Sequence, residues 1–298
     1  MKSLKNPLLH PFSIMKNFKN GVYFLIVLLV SVTGLTSCEK EDSSVIQDQD
    51  QKNFNSFFMD IPFEAIDIAN EEINVQKLND KYLIDGDILA SKERLEELLT
   101  DPKISNQTQS KGGYDFSRSR PWYRNTVYYV FDRNFSSTGR QIMMQAIQII
   151  SNQTRIRFEY GTGNGNYIRV FTGQGNYSMI GMTGRRQDLS LRDMTVGIAI
   201  HELGHALGLI HEHQRPDRDN HIWVDPNAER QNFGNFRRMG YAYGAFDFNS
   251  IMLYPSRQTS RGWDMLRRDN GRPFDSSVEN GANRLSNGDV RLLNAIYR

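Results

Sequence analysis

Residues 201–219 read HELGHALGLIHEHQRPDRD, and five of the chain's six histidines fall between His201 and His221. His201 and His205 are four residues apart, so on a helix their rings project from one face, about one turn apart. Two imidazoles so placed can hold one zinc ion through neutral nitrogens at roughly 2.0–2.1 Å. Glu202 lies close enough to reach a water on that ion without ligating it. Gly208 can take the left-handed conformation that ends a helix and turns the chain back. That turn lets His211 swing in as a third ligand. Three protein ligands leave a position open for water, which separates a catalytic site from a closed structural one. The set His201, Glu202, His205, Gly208 and His211 arises by chance in a chain of this size with a frequency on the order of 10⁻⁵.

Such a site needs a helix through the histidines and a scaffold beneath it. Asp193 or Thr195 can cap that helix. Thr126 to Phe131 is β-branched and aromatic, which predicts a strand, and Ile156–Tyr160 and Tyr167–Phe171 predict two more. Ser137 is placed to cap a helix with Ile142, Ala146, Ile149 and Ile150 on one face. Ser286-x-x-Asp289 has the form of a capping box, followed by Val290, Leu293 and Tyr297 at helical spacing. Upstream, Ser91 to Leu99 predicts a short helix with Leu95, Leu98 and Leu99 on one side. Residues 176–182 are a candidate edge strand for aligning an extended peptide. The expected class is α+β.

On these residues the sequence resembles the metzincin metalloproteases, and within them the astacin family. Glu212, directly after the third histidine, and the run from His213 to Asp219 continue that family's pattern. Ser250-Ile251-Met252-Leu253-Tyr254 resembles its Met-turn. The resemblance implies a twisted mixed sheet plus an active-site helix, with zinc in a cleft between two subdomains. It implies one zinc per chain on His201, His205 and His211, with Glu202 as general base. It implies Met252 beneath the metal, Gly208 and Glu212 in support, and Tyr254 as a residue that approaches the metal and swings out to stabilise the oxyanion. Trp122, Tyr129, Phe158, Tyr167 and Leu285-Ser286 fall where the family has similar residues. Two departures stand out: no cysteine follows Cys38, so the disulfides common in animal members are absent, and Leu253 replaces a frequent histidine. His213 is expected to face away from the ligands, and His221 to lie on the surface or in a loop.

Tyr82-Leu83-Ile84-Asp85-Gly86-Asp87 is similar to the astacin prosegment motif, with Ile84 in the aromatic position. By that resemblance Asp87 is an inhibitory zinc ligand and Gly86 lets the backbone approach; a plain Asp-Gly-Asp turn is the other reading. The resemblance also implies a cut near Lys111 to Gly113, by an activating protease, that buries a new terminal ammonium near Glu212. Arg186, Arg215 and Arg218 can form a basic pocket for acidic substrate side chains, or pair with Asp217 and Asp219.

The whole composition sets the outer limits. The chain has 298 residues, 39% hydrophobic and 23% charged, which fits a folded protein with a sizeable core. Thirty-six Lys and Arg against 34 Asp and Glu give +2, no electrostatic footprint for nucleic acid. A mean hydropathy of −0.56 excludes a polytopic membrane protein. One cysteine excludes a disulfide framework. Lys16 and Lys19 precede an apolar run from Val22 to Val32, shorter than the ~20 residues a membrane span needs. Leu35-Thr36-Ser37-Cys38 resembles a bacterial lipobox, with Cys38 lipidated and the membrane contacted only through that lipid. Glu39-Lys40-Glu41-Asp42 reads either as a surface-display tag or as a solvated linker, and Met15 is an alternative start to Met1.

The expected organisation is a lipoprotein signal peptide over 1–37, a tether over 38–55, a prosegment over 56–111 and a metalloprotease domain over 112–298. The expected product is a zinc endopeptidase made as a lipid-anchored zymogen and acting on proteins or peptides. Its expected place is the outer membrane or cell surface, and since the cut severs the lipid anchor the mature protease is expected either to be shed or to stay attached only by noncovalent contact. A catalytically silent surface lipoprotein of the same fold is the alternative.

Overall fold

The computed structural model describes residues 61–99 and 120–298, apart from 62, 69, 70, 85, 232–235, 237, 241, 260, 261 and 279. The signal, the tether, Cys38 and the boundary near Gly112-Gly113 lie outside the described residues.

Four strands come first: β1 (Phe63–Ile68), β2 (Glu71–Leu78), β3 (Lys81–Ile84) and β4 (Ile88–Ala90), paired antiparallel in sequence order. A short helix α1 (Lys92–Leu99) follows, with Leu95 fully buried. The second group comprises β5 (Thr126–Phe131), β6 (Arg157–Tyr160), β7 (Tyr167–Phe171), β8 (Tyr177–Met179) and β9 (Arg186–Ser190). All nine strands form one mixed sheet in the order β1-β2-β3-β4-β8-β9-β7-β5-β6. The three strands predicted from sequence are present, the first of the shorter pair beginning at Arg157 rather than Ile156. Beyond the sheet lie two small ribbons, β10 (Ile222–Val224) with β13 (Met265–Arg267), and β11 (Gln258–Thr259) with β12 (Gly262–Trp263).

Helix α2 (Ser137–Gln153) and helix α3 (Val196–Ala206) pack on each other, and α3 also lies against β8 and β9. The core side chains Ile150, Ile168, Leu189, Leu191 and Ile200 are fully buried, each worth ~1.5–3 kcal/mol of transfer free energy. The cap of α2 is Ser136, not Ser137: Ser136 is extended, with φ −62° and ψ 156°, so its hydroxyl can accept from Gly139 N at 3.0 Å while Ser137 already lies in the helix. The buried stripe of α2 is Met143, Ala146, Ile147 and Ile150, with Ile142 and Ile149 at its margin. Helix α4 (Pro226–Gln231) is a short connector. Helix α5 (Asn287–Ile296) starts with the full Ser286/Asp289 capping box. No helix among the described residues is long and apolar enough to cross a membrane.

Candidate metal centre and active site

Helix α3 is capped by Thr195, whose hydroxyl accepts from Ile198 N. Every residue from Gly197 to Ala206 is buried, so the helix is a core element and its two histidines point inward. The far end is held by side chains from distant segments. Trp122 Nε1 donates to Ala206 O at 2.8 Å and Tyr297 Oη to Leu207 O at 3.0 Å, satisfying carbonyls that a helix end leaves open. Gly208 sits at φ +99°, and that turn reverses the chain toward His211. Glu212 N then donates to Met252 O at 3.0 Å, joining the ligand segment to the turn at residues 250–254.

His201, His205, His211 and Asp87 place one donor atom each within 4.8 Å of one another, all buried. Asp87 Oδ2 lies 3.1 Å from His201 Nε2 and 3.2 Å from His211 Nε2, and Oδ1 lies 3.4 Å from His205 Nε2. Asp87 is carried by the bend between β3 and β4, where Gly86 takes φ +81°. Tyr254 Oη donates a short hydrogen bond to Asp87 Oδ2. Thus the structure brings together five residues from three separate stretches of chain.

Hydrogen bonding indicates what belongs at the centre. His201 Nδ1 is 2.7 Å from Ile251 O, and His205 Nδ1 is 2.8 Å from Leu209 O. Each Nδ1 must therefore carry the proton, leaving Nε2 as a lone-pair acceptor. Both Nε2 atoms face a carboxylate, which is also an acceptor, and Asp87 Oδ1 and His205 Nε2 have no hydrogen-bond partner. Acceptors meeting acceptors in a dry pocket repel unless a cation lies among them. Burial lowers the pKa of His205 to about 4, so that ring is neutral at physiological pH. Burial alone would raise the Asp87 pKa, and only positive charge at His211, His205 and His201 brings it well below the usual carboxylate range, the part a bound cation takes when those rings are neutral. A charged carboxylate among nitrogen lone pairs is a donor set suited to zinc.

Glu202 is fully buried and neither of its oxygens has a hydrogen-bond partner. Burial, with the Asp87 charge adding to it, pushes its pKa well above the ordinary value. Met252 is 2% exposed, and its sulfur would lie 2.7 Å from a Cβ added at Gly204. The glycine in the histidine helix thus makes room for the turn. Tyr254 packs on His211 with ring centroids 4.3 Å apart.

Some placements differ from the sequence expectations. His213 is not among the metal donors, yet it does not face away: its ring stacks on His211 at 5.1 Å and on Tyr254 at 5.0 Å. The chain leaves extended geometry at His211 for a single 3₁₀ turn over Glu212–Gln214, which folds the two rings onto one side. His221 lies in a turn, in keeping with the loop expectation, half-buried and stacked on Phe246 at 4.9 Å. Strand β8 lies where the sequence suggests a peptide-aligning edge, but its open side is covered by β4.

Glu212 Oε1 accepts from Arg215 Nη1 and from Asp247 N, both at 2.8 Å, while burial raises its pKa to about 7. Arg215 is fully engaged, with both Asp217 oxygens at 2.9 Å and the carbonyls of Gly244 and Ala245 at 2.9 and 3.0 Å. Arg218 is fully buried, donating to His213 O and Asp219. Both arginines are structural. Arg186 is exposed, its side chain 57% accessible.

Asp289 has a role that its sequence context hides. Besides closing the capping box, it accepts from Ser250 Oγ at 2.6 Å and Ile251 N at 3.0 Å, bracing the peptide whose carbonyl orients His201. No sequence signal marks that contact, because it spans 38 residues.

Residues 115–298 match the family model described as Astacin, a peptidase family. The chain is 30% identical over 243 residues to zinc metalloproteinase nas-15 of Caenorhabditis elegans, covering 72% of this chain and 41% of that protein. With zinc metalloproteinase nas-6 of the same organism it shares 31% identity over 227 residues, 71% of this chain and 62% of the relative. The chain therefore spans less than two thirds of the length of these relatives. Among solved structures, high choriolytic enzyme 1, a hatching-enzyme zinc protease from Oryzias latipes, aligns with a TM-score of 0.52 and 25% identity, over 63% of this chain and 98% of that one.

Proposed function

The chain belongs to the astacin family, and from that premise we propose that it is a zinc-dependent endopeptidase held latent by residues 56–111, with Asp87 as the inhibitory ligand. The observation that carries this reading is the buried set of His201, His205, His211 and Asp87 around one point, beside the unpartnered carboxyl of Glu202.

When bound by the three histidines, zinc supplies Lewis acidity, polarising a carbonyl and bringing the pKa of a water to about 7. The Ile251 and Leu209 carbonyls hold His201 and His205 in the tautomer that can ligate. Glu202 takes a proton on its carboxylate and returns it to the departing amine. Tyr254 Oη, freed from Asp87, donates toward the oxygen where negative charge develops. While Asp87 is in place it accepts the Tyr254 hydrogen bond and occupies the space a substrate carbonyl needs.

Further parts of the proposal lie outside the described residues. Cys38 carries the lipid anchor, and another protease cuts near Lys111 to Gly113. The ammonium so formed would pair with Glu212, whose carboxyl is already buried. The protein is exported to the outer membrane or cell surface, and its substrates are proteins or peptides.

The test compares residues 39–298 carrying Asp87→Ala with the same chain also carrying Glu202→Gln, each with measured zinc content, on a peptide library read by mass spectrometry. The first should cleave and be stopped by a chelator. The second should keep zinc and lose ~10²–10⁴-fold in rate. If the first chain holds one zinc and leaves the library intact even after residues 61–99 are digested away, the protease reading is wrong.

A further inference from the structure

The strands β1–β4 do more than deliver Asp87. Strand β4 pairs parallel with β8, Ile88 opposite Ser178 and Leu89 opposite Met179, and Ser178 N donates to Asp87 O at 2.9 Å. Side chains alternate across this seam, and both faces are filled. On one face Ile84, Ile88, Ala90 and Leu95 pack with Ile180 and Met239 of the protease domain. On the other, Leu83 and Leu89 pack with Tyr177 and Met179. Ile88 and Ala90 are fully buried, and Leu89 is 4% exposed. A ligand delivered by a loose loop would need none of this. Two-sided packing on a paired edge is the arrangement by which one polypeptide captures another as an added strand. At the rim, Arg120 Nη2 lies 2.9 and 3.1 Å from the two Glu97 oxygens, an exposed contact that contributes little.

We infer that the β8 edge together with Ile180 and Met239 is a docking surface for residues 61–99, strong enough to retain them after the chain is cut. This rests on the reading of the protein as a latent protease and specifies how the latency ends. A cut within residues 100–119 is then not sufficient for activity: the severed prosegment stays seated, Asp87 included, until it is digested or displaced. The lipid proposed at Cys38 lies on the prosegment side, so the same seam keeps the cut protease at the membrane instead of shedding it.

Cutting removes the covalent link and with it an effective concentration in the mM range, so retention afterwards measures the seam alone. The experiment uses residues 39–298 with a site-specific protease sequence placed within 100–119, loaded with zinc, cut to completion and passed over a sizing column at about 10 µM, far below that effective concentration. The two pieces should elute as one species, and should still do so with Asp87→Ala, because the seam and not the ligand holds them. Peptidase activity of the cut wild-type chain should stay below roughly a tenth of that reached once residues 61–99 are digested away, a difference equivalent to at least 1.4 kcal/mol. Pieces that separate on the column overturn the inference whatever the activity. Pieces that stay together while digestion releases no chelator-sensitive cleavage support the docking surface and count against the protease reading.

Discussion

Asp289 is a carboxyl 5% exposed, surrounded by donors, with a pKa raised above 3.8 mainly by its burial. Hydrogen bonds from Ser250, Ile251 and Ser286 oppose that rise without cancelling it. A folded pKa above the unfolded one means folding takes up a proton between the two values. This contribution to stability is therefore full at or below pH 3.8 and is lost as pH rises through the folded value. Asp289→Ala should cost about 1–3 kcal/mol near the low end, by leaving Ser250, Ile251 and Ser286 without their acceptor, and the deficit relative to wild type should narrow as pH rises. Urea titrations of both proteins across that range measure it; a deficit that widens instead would show the anion to be the stabilised form. The adjoining pair His201 and His205 was legible as a candidate metal-binding pair from type and spacing, since four residues is about one helical turn. The partner carbonyls of Ile251 and Leu209 were not, since every residue has a carbonyl.

Helix α3 shows what an element adds to its residues. Its N-terminal turn runs against the loop at residue 282, and a Cβ added at Gly197 would lie 2.6 Å from Ala282 O, a backbone atom with little freedom to yield. Gly197→Ala would raise intrinsic helix propensity, yet overpacking should dominate and destabilise by ~1–3 kcal/mol. A thermal melt decides: a variant as stable as wild type would mean that the 282 loop gives way freely. The helices at 137–153, 196–206 and 287–296 were legible from caps and apolar spacing. Neighbouring serines left the Ser136 or Ser137 cap to backbone conformation. The turn after His211 defeated the expectation for His213, because a single 3₁₀ turn carries no periodic signal.

Across the whole molecule, the metal centre joins the meander at residues 63–90 to the helix at 196–206 and the turn at 250–254. Removing the metal should therefore loosen more than one element. A site occupied at ~100-fold excess of free zinc over its Kd stabilises by ~2.7 kcal/mol, roughly 5–10 °C in Tm for a domain of this size. Scanning calorimetry of residues 39–298 with and without a chelator should show that drop, and a smaller one with Asp87→Ala, which has lost the fourth donor. Equal melting temperatures with and without metal would mean that zinc contributes nothing to holding the elements together.

The helix through His201 and His205, Glu202 between them, the turn at Gly208 and the bend at Gly86-Asp87 were determined by the sequence, because each is a local pattern whose spacing matches a helix or a turn. The strand assignments at 126–131 and 167–171 were determined the same way, by side chains that suit a pleated surface. Asp87 was expected at the histidines only through the family resemblance, and tertiary structure alone decided that Arg215 and Arg218 are consumed by internal pairs and that β8 has no open edge. Those outcomes depend on which surfaces meet across the fold. No local spacing encodes that, since burial, desolvation and strand pairing are settled only when distant segments exclude water together.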